Sequence, residues 1–153
     1  LYLNIIPYLL KDEEFYLNIH ADGFAVNANS WDNKFLEYDY IGAPWPFCPS
    51  DKRVGNGGFS LRSKKLYDAL KYIDLELKMN LIQGDFGEDK IICRDLDDIL
   101  KSEFGIRFCN EMLACKFSME LPGTLYDYWI GRSFGFHGGF VCQHYGYNYE
   151  DLK

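Results

Sequence analysis

No stretch of this sequence comes near the roughly 20 consecutive apolar residues that a bilayer span needs, so no membrane span is expected. It also lacks an excess of basic charge: 16 Lys and Arg stand against 23 Asp and Glu, for a formal net charge of -7. That balance argues against non-specific binding to nucleic acid or to an anionic membrane surface. An anionic ligand would need a local basic patch or a metal to bring it in. There is no C-x-x-C pair and no H-E-x-x-H run, which argues against a structural zinc site. Internal repeats and low-complexity tracts are absent. The five cysteines (Cys48, Cys93, Cys109, Cys115 and Cys142) are an odd count and fit buried free thiols better than a disulfide framework. A reducing, cytoplasmic setting is the corresponding expectation.

What is present is a chain of 153 residues, enough for one domain, 1–153, with a core of its own. Aromatics make up 18% of it, with 12 Tyr and 12 Phe. That richness suits a half-exposed cleft that stacks on flat or sugar-like ligands, and it suits an ordinary core as well. Residues 15–21 read as a strand, followed by one or two helical turns from Ser30. "YDYIGA" (38–43) reads as a short strand ending in a Pro-rich loop. "GFSLRS" (58–63) alternates, with Phe59 and Leu61 on one face and Ser60 and Arg62 on the other. Ser63 then caps a predicted helix over 64–73, whose Leu66, Leu70 and Ile73 share a face. A second helix is predicted over 88–101 with a stripe of Ile92, Leu96, Ile99 and Leu100, ended by Gly105. "ACKFSME" (114–120) reads as a strand, and the Gly- and aromatic-rich segment from 121 as irregular. Strands alternating with helices predict an α/β domain with a mixed sheet.

Several stretches break these apolar patterns. In "FYLNIHADGFAVN" (15–27), Asp22-Gly23 interrupts a run that should be entering the core, two residues after His20. A hairpin turn accounts for it, and so does a metal or phosphate site at a strand end. "RVGNGGFSLRS" (53–63) lacks the G-K-[ST] of a phosphate-binding P-loop, and its glycines precede a strand. Gly55, Gly57 and Gly58 around Asn56 still let the backbone approach a ligand closely or adopt positive φ, and a glycine-rich hairpin accounts for them equally. Lys52 and Arg53 before them either meet a phosphate or are merely solvated. "GDFGEDKIICR" (84–94) gathers Asp85, Glu88 and Asp89 at a helix start. There acids complement the macrodipole, or one of them serves as a general base. His137 in "RSFGFHGG" is either a hydrogen-bonded loop residue or a metal ligand through a neutral imidazole. His144 has less support.

Taken in order, "FLEYDYIGAPW", "VGNGGFSLRS", "GED" and "SFGFHG" resemble a domain family of unknown function from bacteria and large viruses, related to GT-A-type glycosyltransferases. The resemblance spans about residues 15 to 138. It implies a GT-A-like mixed sheet flanked by helices. It also implies a hexosyltransferase that moves a sugar from a nucleotide-sugar donor to a carbohydrate or glycoconjugate acceptor, assisted by Mn2+ or Mg2+. In GT-A enzymes a D-x-D motif ends a central strand and binds the metal. By that likeness Asp22 is the metal-binding acid, His20 stands where the first Asp often does, and His137 completes the site. Asp89 and Glu88 map to the catalytic base position, with Asp89 preferred. Trp45, Arg53, Gly55, Asn56, Gly57 and Gly58 map to substrate binding. Only 21 residues precede Asp22, so the fold is expected to lack part of the N-terminal nucleotide-binding half, as a C-terminal fragment of a longer domain or as a reduced form. A carbohydrate-binding or structural module without catalysis is the competing reading. A glycoside hydrolase using Asp22 and Asp89 is a third.

Overall fold

The computed structural model describes residues 12–49, 51–73, 87–121, 127–144, 146, 148 and 150. The elements, in chain order, are strands β1 (Phe15–Ile19) and β2 (Gly23–Ala25), then two 3-10 turns at Ala28–Ser30 and Asn33–Glu37. Strands β3 (Tyr40–Ile41), β4 (Ala43–Pro44), β5 (Val54–Gly55) and β6 (Phe59–Ser63) lead into helix α1 (Lys64–Tyr72). Helix α2 (Glu88–Lys90) opens into a π turn at Ile91–Asp95, and α3 (Asp97–Phe104) follows. Helix α4 (Glu111–Phe117), strand β7 (Ser118–Met119), a 3-10 turn at Asp127–Trp129, strand β8 (Gly135–His137) and helix α5 (Gly139–His144) complete the described part.

The α/β class is as expected, but the sheet is divided. Among the described residues there are three small sheets: β1-β6-β3, β2-β8-β7 and β4-β5. The division has a local cause. Turns at Asp22-Gly23 and at Gly42 carry the chain out of the first sheet and into the second or third. Strand β6 is central and antiparallel to both neighbours, with Leu17 opposite Leu61 and Tyr40 opposite Arg62. Strand β8 is antiparallel to β2, with Gly23 opposite His137, and parallel to β7.

Helix α1 forms where expected, and the Ser63 hydroxyl accepts the Leu66 N–H at 3.1 Å. Leu66, Leu70 and Ile73 are buried with Tyr40, Ile92 and Leu100 in one apolar cluster. Phe35, Phe59 and Phe117 anchor a second, on the other side of β6, and Met119, Phe136 and Val141 a third. Both faces of β6 are therefore covered, and the Arg62 side chain is fully buried. All five cysteines are buried free thiols. No helix among the described residues is long and apolar enough to cross a membrane.

Three expectations are corrected. The 88–101 helix is not continuous: the Leu96 N–H bonds to the Ile91 carbonyl at 2.8 Å, five residues back. This wide turn moves later residues around the axis, so Leu96 and Leu100 stay inside while Ile99 is 37% exposed. Gly105 does end α3, with φ 59. Residues 114–120 are mostly helical, because Asn110 caps α4 by accepting the Leu113 N–H at 3.0 Å. A short apolar run without that cap reads equally as a strand. The region after 121 contributes β8 and α5, since β2 and β7 supply the strand pairing from distant parts of the chain.

Candidate active site

The Asp22-Gly23 turn is not a hairpin, because β1 and β2 belong to different sheets. It is pinned from both sides. The His20 N–H donates to the Gly58 carbonyl at 2.8 Å, and the Gly138 N–H donates to the Asp22 carbonyl at 3.0 Å. The Asp22 carboxylate is thereby held at the end of β8. There its Oδ1 lies 3.1 Å from Nε2 of His137. The other ring nitrogen of His137, Nδ1, lies 3.3 Å from Oε1 of Glu120. The His20 ring packs edge-on to His137 with centroids 5.6 Å apart. Burial works against charging the His137 imidazole, but hydrogen bonding and charge from Glu120 and Asp22 outweigh it, and its pKa is raised.

The glycine loop completes this corner. A Cβ on Gly58 would sit 2.0 Å from Nε2 of His137, so only glycine lets the loop touch the ring. The Gly57 N–H donates to Oδ2 of Asp89 at 2.7 Å, and the Asn18 carboxamide donates to the Gly57 carbonyl. Asn56 is fully buried at φ 73, and its Oδ1 accepts from the N–H groups of Gly58 at 2.9 Å and Phe59 at 3.3 Å. Expected to bind substrate, Asn56 in this structure holds the loop in shape.

The two candidate bases differ in their surroundings. Glu88 accepts from Nη2 of the buried Arg62 at 2.8 Å. Burial alone would raise its carboxyl, but the Arg62 charge and hydrogen bond reverse that and lower it. Among the described residues, no cation is paired with Asp89. Burial is the largest influence on it, the charges of Glu88 and Glu120 add to it, and its pKa is raised despite hydrogen bonds from Gly57 and Lys90. Asp85, the third acid of this group, lies outside the described residues, as does the His144 side chain.

Two other predicted substrate contacts are occupied elsewhere. Trp45 is only 5% exposed, so it offers little open ring face to a sugar. Its indole N–H donates to Oε2 of Glu120 at 3.0 Å, and its ring lies where a Cβ on Gly55 would be, 2.2 Å away. Arg53 donates to the Cys48 carbonyl at 3.1 Å and pairs with Glu111 at 3.5 Å. Together with Lys52, Tyr38, Phe108 and Asn110 it lines a cavity of about 470 Å³. Of the residues expected to bind metal or substrate or to act as the base, that cavity takes in Arg53 and no other. Lys52 is itself paired with Asp98 at 3.1 Å.

The structure thus brings Asp22, His20, His137, Gly57, Gly58, Glu88 and Asp89 together, and separates Arg53 from them. Sequence reasoning missed Glu120 and Arg62. An acid immediately after a buried apolar run was the available signal for Glu120. For Arg62 there was none, since alternation names a face but not what covers it.

Among the described residues, no group of three or more His, Cys, Asp or Glu side chains is arranged to hold a metal ion. Asp22 and His137 nonetheless offer a carboxylate oxygen and an imidazole nitrogen to the same space, a donor pair that a divalent cation accepts. Two donors are too few for a closed site. A ligand's oxygens would have to complete it.

Residues 8–137 match the model of a family described as "Protein of unknown function (DUF5672)", and the chain belongs to that family. No curated protein and no solved structure matches this sequence.

Proposed function

We propose that this DUF5672 chain is a glycosyltransferase that moves a sugar from a nucleotide-sugar donor to an acceptor hydroxyl with divalent-metal assistance. The observation that carries the reading is the meeting of Asp22 and His137 at 3.1 Å beside the Gly57–Gly58 backbone and Asp89. Asp22 and His137 would hold a Mn2+ or Mg2+ ion together with diphosphate oxygens of the donor. When bound, such an ion neutralises charge developing on the leaving nucleoside diphosphate.

The chain's own residues supply the rest. Asp89 is the general base: its carboxylate takes the acceptor hydroxyl proton as the new bond to the anomeric carbon forms and the bond to the diphosphate oxygen breaks. Its raised proton affinity suits that task. The N–H groups of Gly57 and Lys90, at 2.7 and 2.8 Å, fix its orientation. Glu88 neutralises Arg62 and so anchors the start of α2 that carries Asp89. A carboxylate that serves as base for the acceptor hydroxyl favours inversion of the anomeric centre.

A panel of nucleotide sugars, incubated with the full-length protein with and without Mn2+, tests the proposal. Metal-dependent release of the nucleoside diphosphate with sugar on the acceptor supports it, and inactivity on every donor counts against it. The second reading, carbohydrate binding without catalysis, draws on the separate cavity beside Arg53, where Tyr38 and Phe108 rings adjoin Asn110 and Glu111. Sugar binding that persists without turnover on any donor would favour it.

A further inference from the structure

We propose that two adjoining cavities along the start of α4 form one groove, which seats a neutral oligosaccharide of at least two sugar units as the acceptor. The inference deepens the proposed function, and it rests on that reading for the acceptor role but not for the binding. One cavity is the space of about 470 Å³ beside Arg53. The other, of about 460 Å³, is lined by Lys34, Lys116 and Trp129. Tyr38, Asn110 and Met112 line both, so the two spaces meet at a shared wall. Tyr38 follows the 3-10 turn at Asn33–Glu37, and Asn110 caps α4. The Asn110 carboxamide donates to the Tyr38 hydroxyl at 3.3 Å, which fixes the ring between the two spaces. Each space alone falls in the ~300–1,000 Å³ range of small-ligand sites. A ligand that enters both is therefore an extended one.

The lining selects the chemistry of that ligand. Its charges balance, with two cations and three acids in the first cavity and two cations and one acid in the second. Arg53 lies 3.5 Å from Glu111, Lys52 3.1 Å from Asp98 and 3.9 Å from Asp97, and Lys116 2.8 Å from Asp32. A phosphate brought here would meet a carboxylate beside each of these three cations, and an ammonium would meet the reverse. A sugar hydroxyl both donates and accepts, so it satisfies such a pair from either side and leaves the charges matched. Asp97 is only 1% exposed, yet it lines the first cavity with its carboxylate held by Lys101 at 2.8 Å. Tyr38, Phe108 and Trp129 are half-buried and supply apolar ring surface for the C–H faces of a pyranose. An apolar peptide would instead desolvate the ion pairs without replacing their water. Neither cavity takes in Asp22, His137 or Asp89, but two short stretches of chain link the groove to the proposed base. Cys93 lines the first cavity four residues after Asp89, and Val54 lines it three residues before Gly57, whose N–H holds that carboxylate. The groove thus takes the remote units of the acceptor, whose binding energy serves the reacting end.

The test reads binding first, on the full-length protein with neither donor nor metal present. The probes are cello-, malto- and N-acetylchito-oligosaccharides of one to four units, followed by the Trp129 indole and Asn110 carboxamide resonances. A sulfated tetrasaccharide, a chitosan tetramer and an apolar helical peptide serve as anionic, cationic and peptide controls. At least one neutral series should bind, gaining about tenfold or more in affinity from one unit to three, and the controls should bind at least tenfold more weakly. Met112→Arg adds bulk and charge at a side chain that is 66% exposed, so the fold should stand while three-unit binding falls about tenfold or more. Glu111→Gln leaves Arg53 without its partner and should shift the preference towards the sulfated probe. No neutral series bound, an affinity that does not change with length, a preference for any control, or binding indifferent to Met112→Arg overturns the groove. Transfer assays then separate the two claims. Sugar bound in the groove without transfer to any acceptor overturns the acceptor role together with the proposed function and leaves the binding. Transfer with the same KM for one-unit and three-unit acceptors supports the proposed function and overturns the groove as its acceptor site.

Discussion

Replacing Glu88 by Ala should destabilise the protein far more than an ordinary surface change, because it strands a buried cation. The Arg62 guanidinium is fully buried and lies over the Tyr40 ring at 5.2 Å. Its Nε donates to the Ser60 hydroxyl at 3.0 Å and its Nη2 to Glu88 at 2.8 Å, while Nη1 has no hydrogen-bond partner among the described residues. Among the described residues, Glu88 is the acid paired with this charge. Removing one member of a buried pair costs about 3–5 kcal/mol. The Glu88 side chain retains 21% exposure, so water can partly replace it and the lower end, about 3 kcal/mol, applies. For a domain of this size each kcal/mol moves the melting midpoint by about 2–4 °C, which gives a drop of roughly 6–12 °C. Glu88→Gln keeps an acceptor but not the charge and should cost about 1.5–3 kcal/mol. Arg62→Met combined with Glu88→Leu should recover most of the loss, since an apolar pair needs no compensation.

The pH dependence follows from the sign of the shift. The Glu88 carboxyl is lowered in the folded state. The stability it contributes is complete above the ordinary glutamate pKa of about 4.3 and disappears as the pH falls through the lower folded-state value. Urea denaturation at neutral pH and on acidification measures both effects, and the gap between wild type and Glu88→Ala should close at the acid end. A Glu88→Ala protein within about 0.5 kcal/mol of wild type at neutral pH, the range of an inert surface change, would refute the reasoning.

Asp89→Asn should bind nucleotide sugar as wild type does and lose about 10²–10⁴-fold in transfer, read from product formation at saturating donor. Near-normal turnover would remove Asp89 from the base role. Gly58→Ala should cost about 1–3 kcal/mol through overpacking and displace His137, because the new methyl would lie 2.0 Å from Nε2. A shifted His137 ring resonance together with a lower melting midpoint would bear this out. Asn110→Ala should cost about 1 kcal/mol, typical of a lost helix cap, with the far-ultraviolet helix signal weakened at the α4 segment; an unchanged midpoint would count against the cap.

Much of the first sheet and of α1 was legible because the signals are local. Strand β1, the alternation of β6, the Ser63 cap and the Gly105 stop each depend on residues within a few positions. The glycine loop was expected to approach a ligand; what the structure shows against Gly58 is the His137 ring, a partner 79 positions away that no local pattern names. What escaped depends on partners far along the chain. Strand β8 has little periodicity of its own and exists because β2 and β7 flank it. Helix α4 shows an apolar run too short to declare its period, and the Asn110 cap decides it. The π turn after α2 leaves no compositional mark, so Ile99 was assigned to a stripe that the extra residue had already rotated away. Arg62 was read only as one of the polar positions of an alternating strand, while Glu88, Tyr40 and Tyr67 lie around it from three other elements. Trp45 looked like a sugar platform, and its partner Glu120 lies 75 positions away.

Calorimetric titration of Mn2+ into the wild-type protein, with and without uridine diphosphate, tests the central claim most directly. Asp22 and His137 supply two donors, so the account predicts weak uptake by the protein alone, tight uptake once the diphosphate adds its oxygens, and loss of that gain in Asp22→Asn. Equal affinity with and without the nucleotide, or a gain that survives in Asp22→Asn, would contradict it.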